Sequence, residues 1–175
     1  MEEKKAKKDV NELIRERQEE ARKQLEISNK NKEIFYDYHF NKCRFKDLLS
    51  KDVLDFIADI AFKPNCDAES TRLLFRTGYC YYFAVMLKDA FNRGKVCAAY
   101  PISHFVWVDD NGIPYDIEGI YEGSAEDYIP IEFFNLEDYL GFKQLKPDDP
   151  VCSRERLDEI YNNYLEALKK EEKDV

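Results

Sequence analysis

The stretch that decides the fold runs from residue 77 to residue 119 and reads TGYCYYFAVMLKDAFNRGKVCAAYPISHFVWVDDNGIPYDIEG. Apolar residues recur at helical spacing after its first cysteine, so we predict a helix from Tyr81 to Phe91, with Cys80 at or just before the first turn. The polar segment that ends at Gly94 predicts the end of this helix, because glycine readily adopts the left-handed conformation of a helix cap. The stretch therefore places a cysteine at the start of an apolar helix.

Cys80 lies where a thiol is most easily deprotonated. The N–H groups and the dipole at the start of a helix favour the negatively charged thiolate over the thiol. Position alone does not identify a nucleophile, because a free cysteine is often an inert residue of the core. The interpretation of Cys80 as a nucleophile therefore depends on its partners.

Two strand patterns supply those partners. The segments 104–109 and 113–118 are rich in β-branched and aromatic residues, and the sequence Asp-Asn-Gly at 110–112 is typical of a hairpin turn. We therefore predict an antiparallel hairpin that carries His104 on one strand and Asp116 on the other.

The length of the hairpin loop decides which side chains face His104. A two-residue loop would place Asp116 opposite Trp107, on the other face of the sheet from His104. A three-residue loop with a left-handed Gly112 would place Asp116 on the same face as His104, with Glu118 directly opposite His104. A catalytic arrangement requires the three-residue loop, and it leaves both acidic residues as candidates for orienting the histidine.

The residue types of this stretch suit nucleophilic chemistry. A thiol must lose its proton before it attacks a carbonyl carbon, and imidazole is the side chain with a suitable pKa. A carboxylate holds the imidazole in the right tautomer and supports its charge. We predict Cys80 as the nucleophile, His104 as the base and Asp116 as the residue that orients His104, with Glu118 as the alternative orienting residue. This set of side chains acts without a cofactor.

The same residues resemble a known superfamily. The pattern is similar to the core of papain-like and transglutaminase-like cysteine hydrolases, and to the arylamine acetyltransferases, at Gly78, Cys80, Phe83, Ala84, Leu87, His104, Trp107, Tyr115 and Asp116. The resemblance implies an α+β fold in which the cysteine-bearing helix packs on a small antiparallel sheet of about three to five strands. N-terminal and C-terminal helices flank this core.

The resemblance also implies a function. We expect a cysteine-nucleophile hydrolase or acyltransferase that acts on a peptide, an isopeptide or a side-chain amide, so that its substrate is a protein or peptide. The alternative is a catalytically inactive module of the same fold that binds a protein partner through its charged helices. The layout also resembles small acidic proteins of Gram-positive bacteria and their phages, which implies interference with a host factor.

Residues 1–32 are charged almost throughout and predict a solvated helix. A narrow stripe at three-to-four spacing runs along it through Val10, Leu13, Ile14, Arg17, Ala21 and Leu25. We interpret this segment as a helical extension, in the manner of a coiled coil, that binds a protein partner or lies on its own domain. Residues 33–175 are then a single α+β domain.

The rest of the chain supplies the flanking elements. We predict helices at 51–62, 70–75 and 135–140 and from Asp148 towards the C-terminus, strands at 95–100 and 128–134, and a loop at 120–127 that covers the cleft. The last helix is expected to pack on the N-terminal helices or on a second copy, which would make a homo-oligomer. His39 and Cys43 have the spacing of metal ligands on one helix face, but two ligands do not make a site, so we predict no metal.

Composition narrows the partners. A net charge of −9 argues against a nucleic-acid binder, because phosphate recognition relies on clustered cations. Five cysteines without a signal peptide predict a reducing cytoplasm and free thiols. No apolar run has the length that a membrane span needs, so no membrane partner is expected.

Overall fold

The structure is a computed structural model that describes residues 10–102, 104–134 and 154–173. Within these ranges the chain forms five α-helices and one antiparallel sheet of five strands, which confirms the α+β class. The chain forms two compact units, the first ending at Thr71 and the second beginning at Arg72.

The helices and strands have the following bounds. The helices are α1 (Val10–Lys42), α2 (Lys51–Ala61), α3 (Ala68–Thr77), α4 (Cys80–Phe91) and α5 (Arg154–Glu171). The strands are β1 (Lys95–Tyr100), β2 (His104–Val108), β3 (Pro114–Asp116), β4 (Gly119–Ile120) and β5 (Asp127–Pro130). Short 3-10 helices lie at Lys46–Leu48 and Ile131–Phe133.

The first unit is built on α1 and α2. Ser28 of α1 donates a hydrogen bond to the carbonyl oxygen of Phe62, and the Phe62 ring meets Phe35 of α1 edge to face. Every residue from Val10 to Lys23 is exposed, as expected for a solvated helix. The division into an extension of residues 1–32 and a domain of residues 33–175 stays a prediction, and α1 passes through residue 32 without a break.

The second unit places α4 on the sheet. The strand order is β4-β3-β2-β1-β5, and α4 packs on β1, β2 and β3. Phe83, Ala84 and Leu87 of α4 are buried, as the helical spacing of the apolar residues predicts. The largest buried side chains of the sheet include Trp107 and Tyr115, which are cross-strand partners. The helix that carries the cysteine is therefore attached to the sheet by the apolar core.

The β2–β3 hairpin has the three-residue loop. Trp107 pairs with Tyr115, and the N–H of Asp109 donates to the carbonyl of Ile113 at 3.0 Å. Gly112 has φ +78°, the left-handed conformation that this loop requires. The Asp109 carboxylate closes the turn by accepting the N–H groups of residues 111 and 113 at 2.8 and 2.9 Å. The register that puts His104 and the β3 aspartate on one face is confirmed.

The edge strand is shorter than predicted. β5 lies at the edge of the sheet, where a proline is tolerated, but the strand ends at Pro130 and a 3-10 helix follows. A proline has no N–H to continue the hydrogen-bond ladder, which accounts for the end of the strand. The predicted helix at 135–140 and the predicted start of the last helix at Asp148 lie outside the described residues.

The segment that leaves α4 packs against the hairpin. Asn92 and Gly94 both have positive φ, at 48° and 69°, and the Trp107 indole N–H donates to the carbonyl of Arg93 at 2.9 Å. A Cβ on Gly94 would lie 2.5 Å from the carbonyl oxygen of Val108 and 2.7 Å from Nε1 of Trp107. Gly94 therefore permits the close approach of this segment to β2.

We predict that Gly94→Ala lowers the free energy of unfolding by about 2–4 kcal/mol, because it combines backbone strain with a clash against buried atoms. Gly112→Ala is the matched control, since Gly112 also has positive φ but a Cβ there would meet open space. This control is expected to lose only about 1–2 kcal/mol. Urea denaturation of both variants measures the difference, and equal losses would contradict the packing argument.

Candidate active site

Cys80 is the first residue of α4 and is half-buried. The first backbone hydrogen bond of this helix joins the N–H of Phe83 to the carbonyl of Tyr79 at 3.0 Å. The N–H groups of residues 80–82 therefore lie ahead of the helical ladder and are directed at the helix start. This is the placement that the sequence predicts for the thiol.

Three donors surround the sulphur of Cys80. The imidazole of His104 hydrogen-bonds to it, and so do the backbone N–H groups of Tyr81 and Phe105. Burial raises the pKa of the Cys80 thiol, but these hydrogen bonds and the charge of the imidazole outweigh burial, so the pKa lies below the usual thiol value of 9.0. Cys97 is a contrast, because burial raises its pKa to about 12.

His104 joins the sulphur to a carboxylate. Its Nε2 lies 2.9 Å from Oδ2 of Asp116, and the two side chains are only 11% and 7% exposed. Burial lowers the pKa of His104, but the hydrogen bonds to Asp116 and Cys80 and the charges of both partners raise it to about 9. The arrangement therefore favours the thiolate form of Cys80 and the imidazolium form of His104.

The Asp116 carboxylate is held on both of its oxygens. Oδ1 accepts the backbone N–H of Glu118 at 2.8 Å, while Oδ2 meets His104. Asp116 ends β3 and pairs with Gly119 of β4, so it lies at a tight corner of the sheet. This corner fixes the direction of the carboxylate towards the imidazole.

Glu118, the alternative orienting residue, binds elsewhere. Its carboxylate accepts hydrogen bonds from Arg72 at 2.9 Å and from Arg76 at 3.5 Å. His104 is hydrogen-bonded to Asp116. The geometry thus favours Asp116 over Glu118 as the partner of the imidazole.

Tyr121 is a neighbour of the site that the sequence analysis does not single out. Its ring stacks on the imidazole of His104, with the ring centroids 5.1 Å apart and an angle of 28° between the planes. Tyr121 is the single aromatic residue of the predicted loop at 120–127, and this is the one feature of the sequence that could have indicated its role. Strand and loop patterns do not show which ring lies over which.

The residues with metal-ligand spacing lie in the first unit. His39 is buried against the Phe35 ring, and Cys43 is buried just beyond the end of α1. In the part of the chain that the structure describes, no three or more histidine, cysteine or acidic side chains come together as a metal site would require. Of the aromatic neighbours of His39, Phe35 belongs to the core and Tyr38 is exposed.

None of the helices in residues 10–102 and 154–173 combines the length and the apolar character that crossing a bilayer demands.

Comparison with known proteins identifies the family. The sequence model of a family described as Phage YunG-like protein matches residues 53–146, more than half of the 175 residues. The chain belongs to the phage YunG-like protein family. No curated protein and no solved structure matches it.

The family match corrects the predicted resemblance. The phage YunG-like match spans Cys80, His104 and Asp116, so the assignment of this stretch to papain-like or transglutaminase-like cysteine hydrolases is wrong. The class names cysteine protease and transglutaminase do not apply to it. The error has a physical reason, because a cysteine at a helix start and a histidine and an acid on a hairpin form a short pattern that unrelated folds can share.

We predict that Asp116→Asn in this phage YunG-like protein lowers the pKa of His104 by about 1–2 units, because the imidazolium loses its hydrogen-bonded negative charge. NMR titration of the imidazole signals measures this value, and the chain has only two histidines to assign. Glu118→Gln is the matched control, and it is expected to leave the pKa of His104 near its wild-type value of about 9.

The sign of the linked stability follows from the raised pKa. Protonated His104 stabilises the folded state, and this contribution is complete below about pH 6.5 and lost as the pH rises through about 9.

If Glu118→Gln lowered the pKa of His104 as much as Asp116→Asn, the assignment of Asp116 as the orienting residue would fail.

Proposed function

We propose that the protein is a cysteine-nucleophile hydrolase or acyltransferase that acts on a peptide, an isopeptide or a side-chain amide. Cys80 attacks, His104 transfers the proton, and Asp116 orients His104. Membership of the phage YunG-like family names no reaction, so the proposal rests on the geometry of these three side chains.

The observation that carries the proposal is the continuous hydrogen-bonded series from sulphur to imidazole to buried carboxylate. A core cysteine needs neither a hydrogen-bonded imidazole nor a lowered pKa, as the raised pKa of Cys97 illustrates. Strongly shifted pKa values that arise from specific partners are typical of functional sites. In Cys80 and His104 the shifts have opposite directions, which matches the roles of nucleophile and proton donor.

The chemistry has two balanced steps. In the first, the thiolate of Cys80 forms a bond to the amide carbonyl carbon, the C–N bond breaks, and the His104 imidazolium gives its proton to the leaving amine. In the second, neutral His104 takes a proton from water or from an acceptor amine, which attacks the thioester. The C–S bond then breaks, and the sulphur leaves as the thiolate.

The tetrahedral intermediate of each step carries a negative oxygen. The N–H of Cys80 lies at the start of α4, where N–H groups and the helix dipole favour negative charge. We assign this N–H to the stabilisation of that oxygen. The amide reaction is expected to slow above about pH 9, because the imidazolium that protonates the leaving amine is then lost.

The test uses p-nitrophenyl acetate as a general acyl donor. We predict a burst of p-nitrophenol and an acetyl group on Cys80, located by mass spectrometry of the digested protein. His104→Ala is expected to slow this acylation by about 100-fold or more, because the thiolate loses the partner that stabilises it. Addition of an amine to the acyl-enzyme then distinguishes transfer to the amine from hydrolysis.

Cys66 provides the matched control. It is exposed, whereas Cys80 is half-buried, so labelling by simple exposure would favour Cys66. Cys66→Ala should leave the burst unchanged, and Cys80→Ala should abolish it. Acylation that follows exposure, or that does not depend on His104, would falsify the enzyme proposal.

We propose a second, alternative function, in which the protein is a catalytically inactive module that binds a protein partner. Because the family is described as phage YunG-like, a host factor is the candidate partner. The observation in its favour is the apolar stripe of α1, where Val10, Leu13 and Ile14 are 67%, 43% and 48% exposed. Exposed apolar side chains in a row are typical of interaction surfaces. Charged neighbours on the same helix would then provide specificity.

The two functions respond to different substitutions. If binding through α1 is the function, an effect of the protein on the growth of a bacterial host should survive Cys80→Ala and be lost in Leu13→Lys. Asn11→Lys is the control, because it adds the same charge to the exposed part of α1 at a polar position that is not one of the stripe residues. Loss of the effect in Cys80→Ala with retention in Leu13→Lys would reject the binding function.

A further inference from the structure

Tyr121 is attached to the sheet at the point where it covers His104. It follows β4 directly, and its N–H donates to the carbonyl of Pro114 in β3 at 2.9 Å. Its ring lies stacked on the imidazole, 5.1 Å between centroids. The backbone hydrogen bond therefore fixes the main chain of Tyr121 at the place from which its ring packs on the imidazole of His104.

Gly123 leaves the space that this ring occupies. A Cβ built on Gly123 would overlap the hydroxyl oxygen and the adjoining ring carbon of Tyr121. These atoms belong to the ring that stacks on His104, so a Cβ at position 123 would require this ring to shift from its place in the stack. Gly123 is not one of the glycines with positive φ. A glycine is therefore needed here because a larger side chain would not fit, and not because of the backbone conformation.

We propose that Tyr121 is a positioning residue for His104. It holds the imidazole in the plane in which the ring reaches both the sulphur of Cys80 and the carboxylate of Asp116, and Gly123 is required to admit it. This inference deepens the proposed function, since it adds a residue to the same site.

Two physical effects support this role. An imidazole with one partner on each edge can still tilt about the line between them, and a ring packed on its face opposes that tilt. An aromatic face also attracts a cation, so the stack favours the imidazolium over neutral imidazole.

Titratable groups surround the stacked rings of His104 and Tyr121. Cys80 and Asp116 flank the imidazole and both stabilise its protonated form. Burial, together with the nearby Tyr128 and Asp116, raises the pKa of the Tyr121 phenol to about 12. The phenol is therefore neutral near pH 7 and acts through its ring rather than through a charge.

The test compares Tyr121→Leu with Tyr121→Phe. Leucine keeps an apolar cover without an aromatic face, and phenylalanine keeps the face without the hydroxyl. We expect Tyr121→Leu to lower the pKa of His104 by about half a unit, and to slow alkylation of Cys80 by iodoacetamide at pH 7 several-fold. Tyr121→Phe is expected to match the wild type in both measurements.

Gly123→Ala is the second variant, and it leaves Tyr121 itself intact. It should reproduce the effect of Tyr121→Leu, because the added methyl group displaces the ring. In the double variant the two changes should not add, since either one already removes the stack. Thermal unfolding followed by circular dichroism identifies variants that have lost the fold. If Tyr121→Leu does not fold, Gly123→Ala still tests the proposal, because position 123 is exposed.

Two results would overturn the proposal. One is a pKa of His104 and an alkylation rate of Cys80 that stay at wild-type values in both folded single variants. The other is a Tyr121→Phe variant that behaves as Tyr121→Leu, which would assign the effect to the hydroxyl. Neither the pKa of His104 nor the alkylation of Cys80 requires catalysis. If the acyl burst fails but the Tyr121 variants change these two quantities as expected, the enzyme proposal is rejected and the positioning role of Tyr121 is retained.

Discussion

The contact between the imidazole of His104 and the carboxylate of Asp116 is the interaction on which the site depends. Both side chains are nearly buried, where charges interact more strongly than in water and a single charge without a partner is costly. Asp116 makes the protonated imidazole stable in this place, and the imidazolium in turn lowers the pKa of Cys80. Negative, positive and negative groups thus alternate across the site.

Two turns of the sheet create that contact. The loop with left-handed Gly112 sets the register in which Trp107 opposes Tyr115, and the corner at Gly119 directs the β3 carboxylate. A slip of one residue in either turn would move the acid to the other face of the sheet. The chemistry of the site is therefore an outcome of turn geometry, with Asp109 closing the first turn through two backbone hydrogen bonds.

The family assignment and the site chemistry are separate findings. The match over residues 53–146 places the chain among phage YunG-like proteins, and no solved structure matches it. A set of thiol, imidazole and carboxylate is recognised by its geometry and not by the order of its residues in the chain, so this arrangement carries no information about ancestry. For this reason the geometry of Cys80 supports a functional proposal although the papain-like and transglutaminase-like assignment was wrong.

The sequence by itself determined the local elements of this region. The helix that begins at Cys80, the strands β1, β2 and β3 that follow it and the glycine turn between β2 and β3 are each encoded by residues within a few positions of one another, through periodicity and turn preference. It also limited the hairpin to two registers. It could not choose between Asp116 and Glu118, because that choice depends on arginines more than forty residues away along the chain.

Only the tertiary structure decided which atoms meet. Packing of α4 on the sheet brings the sulphur of Cys80 to His104, and the segment after β4 brings Tyr121 over the imidazole. The direction of each pKa shift follows from burial and hydrogen bonds that exist only after packing. Local sequence patterns determine the helices, strands and turns, because they act between residues close together in the chain. Contacts between distant segments depend on how the whole core packs.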